Sequence, residues 1–180
     1  TMQDLIGRAL GHYRIVDKIG EGGMGEVYRA RHRVLRRPTA IKILRAELCT
    51  EDLIRRFEHE VQQTCRLTHP NTIEVYDYGH TPEGLFYYAM EYLAGITLTR
   101  LIEIDGRVPA PRVVHILKQV CASLAEAHER GIIHRDLKPA NVFLSKPDDD
   151  LVKLLDFGIA KASGIKPVGG ETTGTDQLLG

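Results

Sequence analysis

Two short segments of the sequence bring together side chains that could bind metal ions and phosphate groups. The first reads His134-Arg135-Asp136-Leu137-Lys138-Pro139-Ala140-Asn141, and the second reads Asp156-Phe157-Gly158. Between them they supply two carboxylates, a carboxamide and an ammonium group. Carboxylate and amide oxygens are ligands that Mg²⁺ accepts, and an ammonium group can neutralise a phosphate. The pattern therefore predicts transfer of a phosphoryl group from a nucleoside triphosphate to a hydroxyl.

A glycine-rich pattern near the N-terminus could lie over the phosphates. Residues Gly20 to Val27 fit G-x-G-x-x-G-x-V. A dinucleotide-binding loop would require a helix directly after the third glycine, whereas residues 27–30 continue as a predicted strand. The sequence favours a hairpin whose backbone amides approach phosphate oxygens without interference from Cβ atoms. A simple tight turn is the alternative.

Lys42 lies on the third predicted strand, and two glutamates on the following helix could be its partner. Glu58 and Glu60 point about 200° apart on a helix, so only one of them can face a cleft. Phe57 and Val61 flank Glu60 on the apolar side, which favours Glu60. The alternative for Lys42 is an edge lysine whose ammonium group lies in water.

These motifs occur in the order and at the spacing of one family. From Gly20 to Gly158 the chain resembles the bacterial serine/threonine protein kinases of the eukaryotic type, and the Gly-His-Tyr-Arg-Ile start at residues 11–15 points the same way. The resemblance implies an α+β, protein-kinase-like two-lobe fold with a complete β-rich N-lobe and an incomplete helical C-lobe. The expected parts are a lead-in at 1–12, the N-lobe at 13–89, a hinge at 90–95 and a truncated C-lobe at 96–180 that ends in the activation loop.

The resemblance also assigns catalytic roles. Asp136 would accept or orient the proton of the acceptor hydroxyl, and Lys138 would neutralise the γ-phosphate. Lys42 would contact the α- and β-phosphates and pair with Glu60. His134 would pack beneath the loop as a structural residue.

The implied cofactors are ATP and Mg²⁺, with Mn²⁺ as an alternative metal. Asn141 and Asp156 would ligate the metal. In the hinge, the Glu91 carbonyl and the Leu93 N–H would meet the adenine edge, with Met90 as gatekeeper, although an ordinary buried strand end would look the same in sequence. The expected ATP contacts are Ile19, Gly20, Glu21, Gly22, Gly23, Met24, Gly25, Glu26, Val27, Ala40, Lys42, Glu91 and Leu93.

The elements that must position these residues are strands around one helix, followed by further helices. Strands are predicted at Tyr13–Gly20, Val27–His32 and Thr39–Leu44, and around Ile73–Tyr78 and Leu85–Tyr92, because these segments are rich in β-branched, aromatic and other apolar residues.

Two helices are predicted from periodicity. The first begins after Thr50 as N-cap and ends near Leu67, and the second begins at Pro111 and runs to about His128. The apolar face of the second helix consists of Val113, Ile116, Leu117, Val120, Leu124 and Ala127.

The composition of the chain limits the kinds of molecule that it is expected to bind. Lys plus Arg and Asp plus Glu number 24 each, so no strong field favours nucleic acid or an anionic membrane. Three widely spaced cysteines and the lack of a long apolar run indicate a soluble, cytoplasmic protein. The expected partners are protein substrates with Ser or Thr and no nucleic acid. A longer parent protein could carry a membrane anchor and form a dimer of kinase domains.

The C-terminal segment has two alternative registers. Gly174-Thr175 could be the Gly-Thr that precedes the family's Pro-Glu element, or Gly180 could be that glycine. The second register is favoured, and it makes Thr173 and Thr175 the expected phosphosites, whose added charge would order the loop against Arg135. Because later family elements do not follow, we expect an N-terminal piece of a kinase that is poorly active alone, with the apolar face of the second helix uncovered.

Overall fold

A computed structural model of the protein describes residues 5–146 and 150–157. The first part forms an antiparallel sheet with the strand order β1-β2-β3-β4-β6-β5. Its strands are β1 (Ala9–Leu10), β2 (Tyr13–Gly22), β3 (Gly25–His32), β4 (Pro38–Leu44), β5 (Val75–His80) and β6 (Phe86–Glu91). All five strands predicted from the sequence are present, with ends shifted by one or two residues.

The glycine-rich segment forms the turn between β2 and β3. Gly22 pairs with Gly25 across the hairpin, and Gly25 also pairs with Leu44 of β4. A Cβ atom at Gly25 would lie 2.0 Å from the Ile43 carbonyl oxygen, so only glycine fits there. The hairpin prediction is therefore confirmed, and one glycine of the pattern is explained by sheet packing.

Helix α1 (Glu51–Thr64) packs on this sheet and completes its core. Phe57 and Val61 are fully buried, as their spacing predicts. Thr50 occupies the N-cap position, but its side chain makes no capping hydrogen bond. The predicted end near Leu67 was wrong, because residues 65–67 leave the helix in tight turns, with the Leu67 N–H donating to the Thr64 carbonyl at 3.0 Å. Leu67 then packs in the core of the second part.

The second part combines three helical segments with a small sheet. Helices α2 (Leu98–Asp105) and α3 (Ala110–Glu129) precede a 3₁₀ turn at Pro139–Asn141. Strands β7 (Ile96–Thr97), β8 (Val142–Lys146) and β9 (Leu151–Leu154) form an antiparallel sheet. This sheet and α3 share the second core, and they fix the start and end of the segments that carry the candidate chemistry.

The apolar face of α3 is only partly buried. Ile116, Val120 and Ala127 lie in the core, whereas Val113 and Leu117 are 36% and 49% exposed. Both belong to the face predicted from the sequence, so that face is covered along one side only by the described residues. Among those residues, no helix combines the length and the apolar character needed to cross a membrane.

Backbone hydrogen bonds join the two parts. The Ile73 N–H donates to the Leu154 carbonyl at 3.0 Å, and the Leu154 N–H donates to the Asn71 carbonyl at 2.8 Å. Between β6 and β7 the chain passes through Gly95, where a Cβ atom would lie 2.0 Å from the Leu144 carbonyl oxygen. The backbone of the connecting segment therefore packs directly against β8 at Gly95, next to the candidate site.

Candidate active site

A pocket lies where the first sheet meets the start of the second part. Its lining is Val27, Ala40, Lys42, Ile73, Met90, Glu91, Leu93, Leu155 and Asp156. Most of these side chains are apolar, and two of the three charged ones, Lys42 and Asp156, lie together. Residues Ile19 to Glu26, which were expected to contact ATP, are not among the lining residues, and Ile19 is buried in the core beside the pocket. A flat apolar group with an anionic tail would suit this lining.

Lys42 and Asp156 form an ion pair in this pocket. The Lys42 Nζ lies 2.9 Å from Asp156 Oδ2, and the two side chains are 12% and 25% exposed. The other carboxylate oxygen, Oδ1, accepts a hydrogen bond from the Tyr88 hydroxyl at 3.0 Å. Both oxygens of Asp156 therefore have a donor supplied by the first sheet.

These contacts determine the protonation of Asp156. Burial acts to raise the pKa of this carboxyl, but the Lys42 charge and the hydrogen bonds from Lys42 and Tyr88 outweigh it and lower the pKa below its ordinary value. Burial, the Asp156 charge and the same hydrogen bond raise the pKa of Tyr88. Asp156 is thus an ionised acceptor and Tyr88 a neutral donor near pH 7.

The expected ion pair between Lys42 and Glu60 is not formed, which corrects the prediction. The Lys42 ammonium is engaged by Asp156, and Glu60 Oε1 instead lies 3.2 Å from Arg135 Nη1. Glu60 does point from α1 toward the second part, as its neighbours on the helix predicted. Its partner is different because Arg135 lies on the segment between Ile132 and the 3₁₀ turn, within reach of α1.

The segment 134–141 forms a compact hydrogen-bonded group. Asn141 Nδ2 donates to the Asp136 carbonyl at 2.8 Å and to Asp136 Oδ2 at 3.2 Å. The Lys138 Nζ lies 3.0 Å from the same Oδ2. The structure therefore brings Asp136, Lys138 and Asn141 together around one carboxylate, as their spacing suggested.

His134 is buried beneath this segment and packs against Phe157. The two ring centroids lie 4.7 Å apart, and His134 Nε2 is 2.7 Å from the Leu155 carbonyl oxygen. Burial lowers the pKa of His134, although the hydrogen bond to Leu155 opposes the shift. These contacts agree with a structural residue that ties residues 134–141 to the segment containing Asp156.

Two residues of the site have a left-handed backbone. Among the described residues, Arg135 (φ 63°) and Asp156 (φ 53°) are two of four non-glycine positions with positive φ. Such conformations cost free energy and persist only where surrounding contacts impose them, which is common at active sites. The contacts of His134 hold the backbone next to Arg135, and the ion pair with Lys42 holds Asp156.

The donor set suits a hard divalent cation. Asn141 uses its Nδ2 on Asp136, and no donor within residues 5–146 and 150–157 bonds its Oδ1. Asp156 is ionised and borders the pocket. One amide oxygen and one carboxylate suit Mg²⁺, which keeps several waters, better than a metal that needs a full protein cage. Within the described part of the chain, no group of three or more His, Cys, Asp or Glu side chains forms such a cage.

The segment after β6 is fixed through the Glu91 side chain. Glu91 Oε1 accepts from the Glu74 N–H at 2.8 Å and lies 2.8 Å from Lys153 Nζ. Glu91 and Leu93 both border the pocket. One oxygen of the Glu91 side chain is therefore engaged by donors within the protein.

Sequence reasoning missed four contributors to the site: Ile73, Tyr88, Lys153 and Leu155. Ile73 and Leu155 border the pocket, and Leu155 could have been found as the residue directly before Asp156. Tyr88 gave no signal, since a tyrosine in an apolar strand is typical of a core. The predicted Gly158, Thr173 and Thr175 lie outside the described residues.

Known proteins match this chain over most of its length. The model of the protein kinase domain family matches residues 13–177. The chain is 41% identical over 162 residues to the serine/threonine-protein kinase pkn3 of Myxococcus xanthus, covering 88% of this chain and 30% of that protein. It is 38% identical over 178 residues to the serine/threonine-protein kinase PrkC of Bacillus subtilis, covering 98% and 26%. The chain thus spans less than a third of the length of these relatives.

Solved structures agree with the sequence matches. The crystal structure of the Mycobacterium tuberculosis PknI kinase domain superposes with a TM-score of 0.77 at 35% identity, covering 85% of this chain and 62% of that chain. The predicted two-lobe α+β architecture, with a β-rich first lobe and an incomplete helical second lobe, is confirmed by this likeness.

Proposed function

The chain belongs to the protein kinase family, and from that membership we propose that its cleft binds ATP with Mg²⁺ and transfers the γ-phosphate to serine or threonine hydroxyls of proteins. One observation carries the proposal. The Lys42–Asp156 pair lies in a pocket whose other lining side chains are apolar except for Glu91, and Asp156 is tied through Leu155 and His134 to the segment that carries Asp136. The apolar surface that would bind the adenine ring and the ion pair that would contact the phosphates are therefore connected to Asp136, the carboxylate that would accept the proton.

The chemistry divides among three residues of the segment 134–141. Asp136 orients the acceptor hydroxyl and takes its proton, which requires an ionised carboxylate held in one orientation. The bonds from Asn141 and Lys138 to Asp136 Oδ2 supply that orientation. Lys138 is close enough to this carboxylate to neutralise charge on the transferred phosphoryl group next to it.

The nucleotide phosphates are bound by Lys42 and, with Mg²⁺, by Asn141 and Asp156. Asn141 and Asp156 would hold Mg²⁺, which would supply positive charge to offset that of the phosphate oxygens. Lys42 exchanges its contact with Asp156 for the α- and β-phosphates when the nucleotide enters. Glu60 is then the acidic partner available to Lys42 from α1.

A second candidate is a nucleotide-binding module that does not transfer phosphate. The arrangement of Glu60 favours it, because this carboxylate bonds Arg135 and leaves the Lys42 ammonium on Asp156. Every catalytic side chain is nevertheless present, so we favour the enzyme.

The partners we propose are proteins that present Ser or Thr hydroxyls, with no nucleic acid. A cytoplasmic location of this domain, an anchored parent protein and a dimer of kinase domains stay predictions from the family resemblance, as do the lobe boundaries at 13–89, 90–95 and 96–180.

Two measurements test the proposal. Thermal shift with ATP and Mg²⁺ reports nucleotide binding, and transfer of ³²P from ATP to a generic basic protein reports catalysis. Asp136→Asn keeps the volume of the side chain and removes the base, so we expect it to retain ATP binding while transfer falls about 100- to 10,000-fold. Transfer that is lost in Asp136→Asn would support the enzyme. Binding without transfer would agree with the second candidate and equally with the weak activity expected of this chain alone, and absence of both binding and transfer would refute the assignment.

A further inference from the structure

We propose that Tyr88 is a positioning residue for the metal-binding carboxylate of Asp156, holding it in the orientation that accepts the divalent cation. This inference rests on the proposed function and assigns a role to a strand residue outside the catalytic motifs. Tyr88 lies in β6, is 1% exposed, and donates to Asp156 Oδ1 at 3.0 Å.

The sheet register creates this contact. Tyr88 lies directly opposite Lys42 in the pairing of β4 with β6. Directly opposite residues project to the same face of a sheet, so both side chains point toward Asp156. Lys42 takes Oδ2 at 2.9 Å and Tyr88 takes Oδ1 at 3.0 Å. The two neighbouring donors fix the plane of the carboxylate as well as its position.

Packing alone does not require a hydroxyl at this position. Tyr88 belongs to an apolar cluster that includes Phe57, Val61 and Phe86. A phenylalanine would fill the same space without a polar atom to satisfy. A buried tyrosine hydroxyl needs a hydrogen-bond partner, and its only partner among the described residues is Asp156.

The hydrogen bond leaves Asp156 able to bind a metal. A carboxylate oxygen can accept more than one contact, so the hydroxyl occupies one site on Oδ1 and leaves another open. The Asp156 side chain remains 25% exposed and borders the pocket. When a ligand draws Lys42 away, Tyr88 is the tie from the first sheet that continues to orient the carboxylate. Loss of such an outer contact typically weakens metal binding about 10- to 100-fold.

The test measures metal affinity directly, without turnover. Tyr88→Phe and Tyr88→Met both remove the hydroxyl and keep an apolar side chain. Tyr87→Phe is the matched control, because Tyr87 directly precedes Tyr88 in β6 and is buried in a different core cluster, on the other face of the sheet from Asp156. Free Mn²⁺ is followed by electron paramagnetic resonance during titration of each protein in the presence of ADP, and ADP affinity without metal is measured by calorimetry.

We expect both Tyr88 variants to bind Mn²⁺ at least about tenfold more weakly, with the metal-free ADP affinity unchanged within twofold. Tyr87→Phe should match the unaltered protein in both measurements. Unchanged or tighter Mn²⁺ binding in either folded Tyr88 variant would overturn the role of Tyr88 and leave the proposed function intact. Failure of the unaltered protein to bind Mn²⁺ with ADP would instead refute the proposed function, and the role of Tyr88 with it.

Discussion

Two of the ion pairs that connect the first lobe to the second, among the described residues, differ in how firmly the fold fixes them. The inner pair, Lys42–Asp156, is 2.9 Å long with side chains that are 12% and 25% exposed. The outer pair, Glu60–Arg135, is 3.2 Å long, and its arginine is 47% exposed. Exposed pairs contribute little to stability, whereas removal of one partner of a buried pair is costly.

The difference indicates which contact can be exchanged. Asp156 has two donors from neighbouring strands, so its orientation is over-determined. Glu60 has a single bond to a half-exposed side chain on the other lobe. Breaking the Glu60–Arg135 pair therefore costs little free energy. Breaking the Lys42–Asp156 pair costs more, unless another anionic group takes the place of Asp156 next to the Lys42 ammonium.

The largest expected effect is from loss of the inner pair. Lys42→Met removes the ammonium group and keeps a long apolar side chain, so we expect phosphate transfer to fall about 100- to 1,000-fold. Lys118→Met, on the exposed surface of α3, should leave transfer unchanged. Unchanged transfer in Lys42→Met would remove the reason to treat the inner pair as part of the site.

The same variant gives a pH prediction. The lowered pKa of Asp156 stabilises the folded state above the carboxyl's unfolded pKa, and this contribution is lost as pH falls through the folded pKa. Without the Lys42 charge the folded pKa rises, so Lys42→Met should begin to lose stability at a higher pH than the unaltered protein. Melting temperatures between about pH 3 and 7 test this, since ordinary carboxyls titrate near 4. Coincident pH profiles would contradict it.

A smaller effect is expected at the outer pair. Glu60→Gln should reduce transfer about 10- to 100-fold if Glu60 moves to Lys42 when the nucleotide binds, because a hydrogen bond to a charged group contributes about 1.5–3 kcal/mol. Glu58→Gln on the same helix is the matched control and should have no effect. Equal losses in both variants would indicate general damage to α1, and no loss in Glu60→Gln would leave Glu60 as a purely structural partner of Arg135.

The sequence could predict which residues lie at the candidate site better than it could predict which side chains they contact. The types and spacing of Lys42, Asp136 and Asn141, with the family resemblance, singled them out, and the structure places Lys42 on the pocket and Asn141 against Asp136. The inward direction of Glu60 followed from helical periodicity, since its angular position depends only on residues within α1. Its partner did not follow, because that depends on how two lobes meet.

Tyr88 shows the other limit of sequence reasoning. Alternation within β6 predicts which side chains are buried, but not that one of them meets Asp156, 68 residues further along the chain. That contact depends on the register of β4 against β6 and on the left-handed backbone at Asp156. Neither has a local signature in the sequence.

The smallest effect is expected from Arg135 itself, and it separates the ion pair from the backbone. Arg135→Ala removes the bond to Glu60 but keeps a Cβ atom at φ 63°, so unfolding in urea should show a loss below about 1 kcal/mol. Arg135→Gly removes the same bond and relieves the left-handed conformation, which costs a non-glycine residue about 1–2 kcal/mol. The glycine variant should therefore be the more stable of the two by about 1 kcal/mol, after glycine's larger unfolded-state entropy is subtracted. A loss of several kcal/mol in Arg135→Ala would mean that the outer pair is as firmly fixed as the inner one.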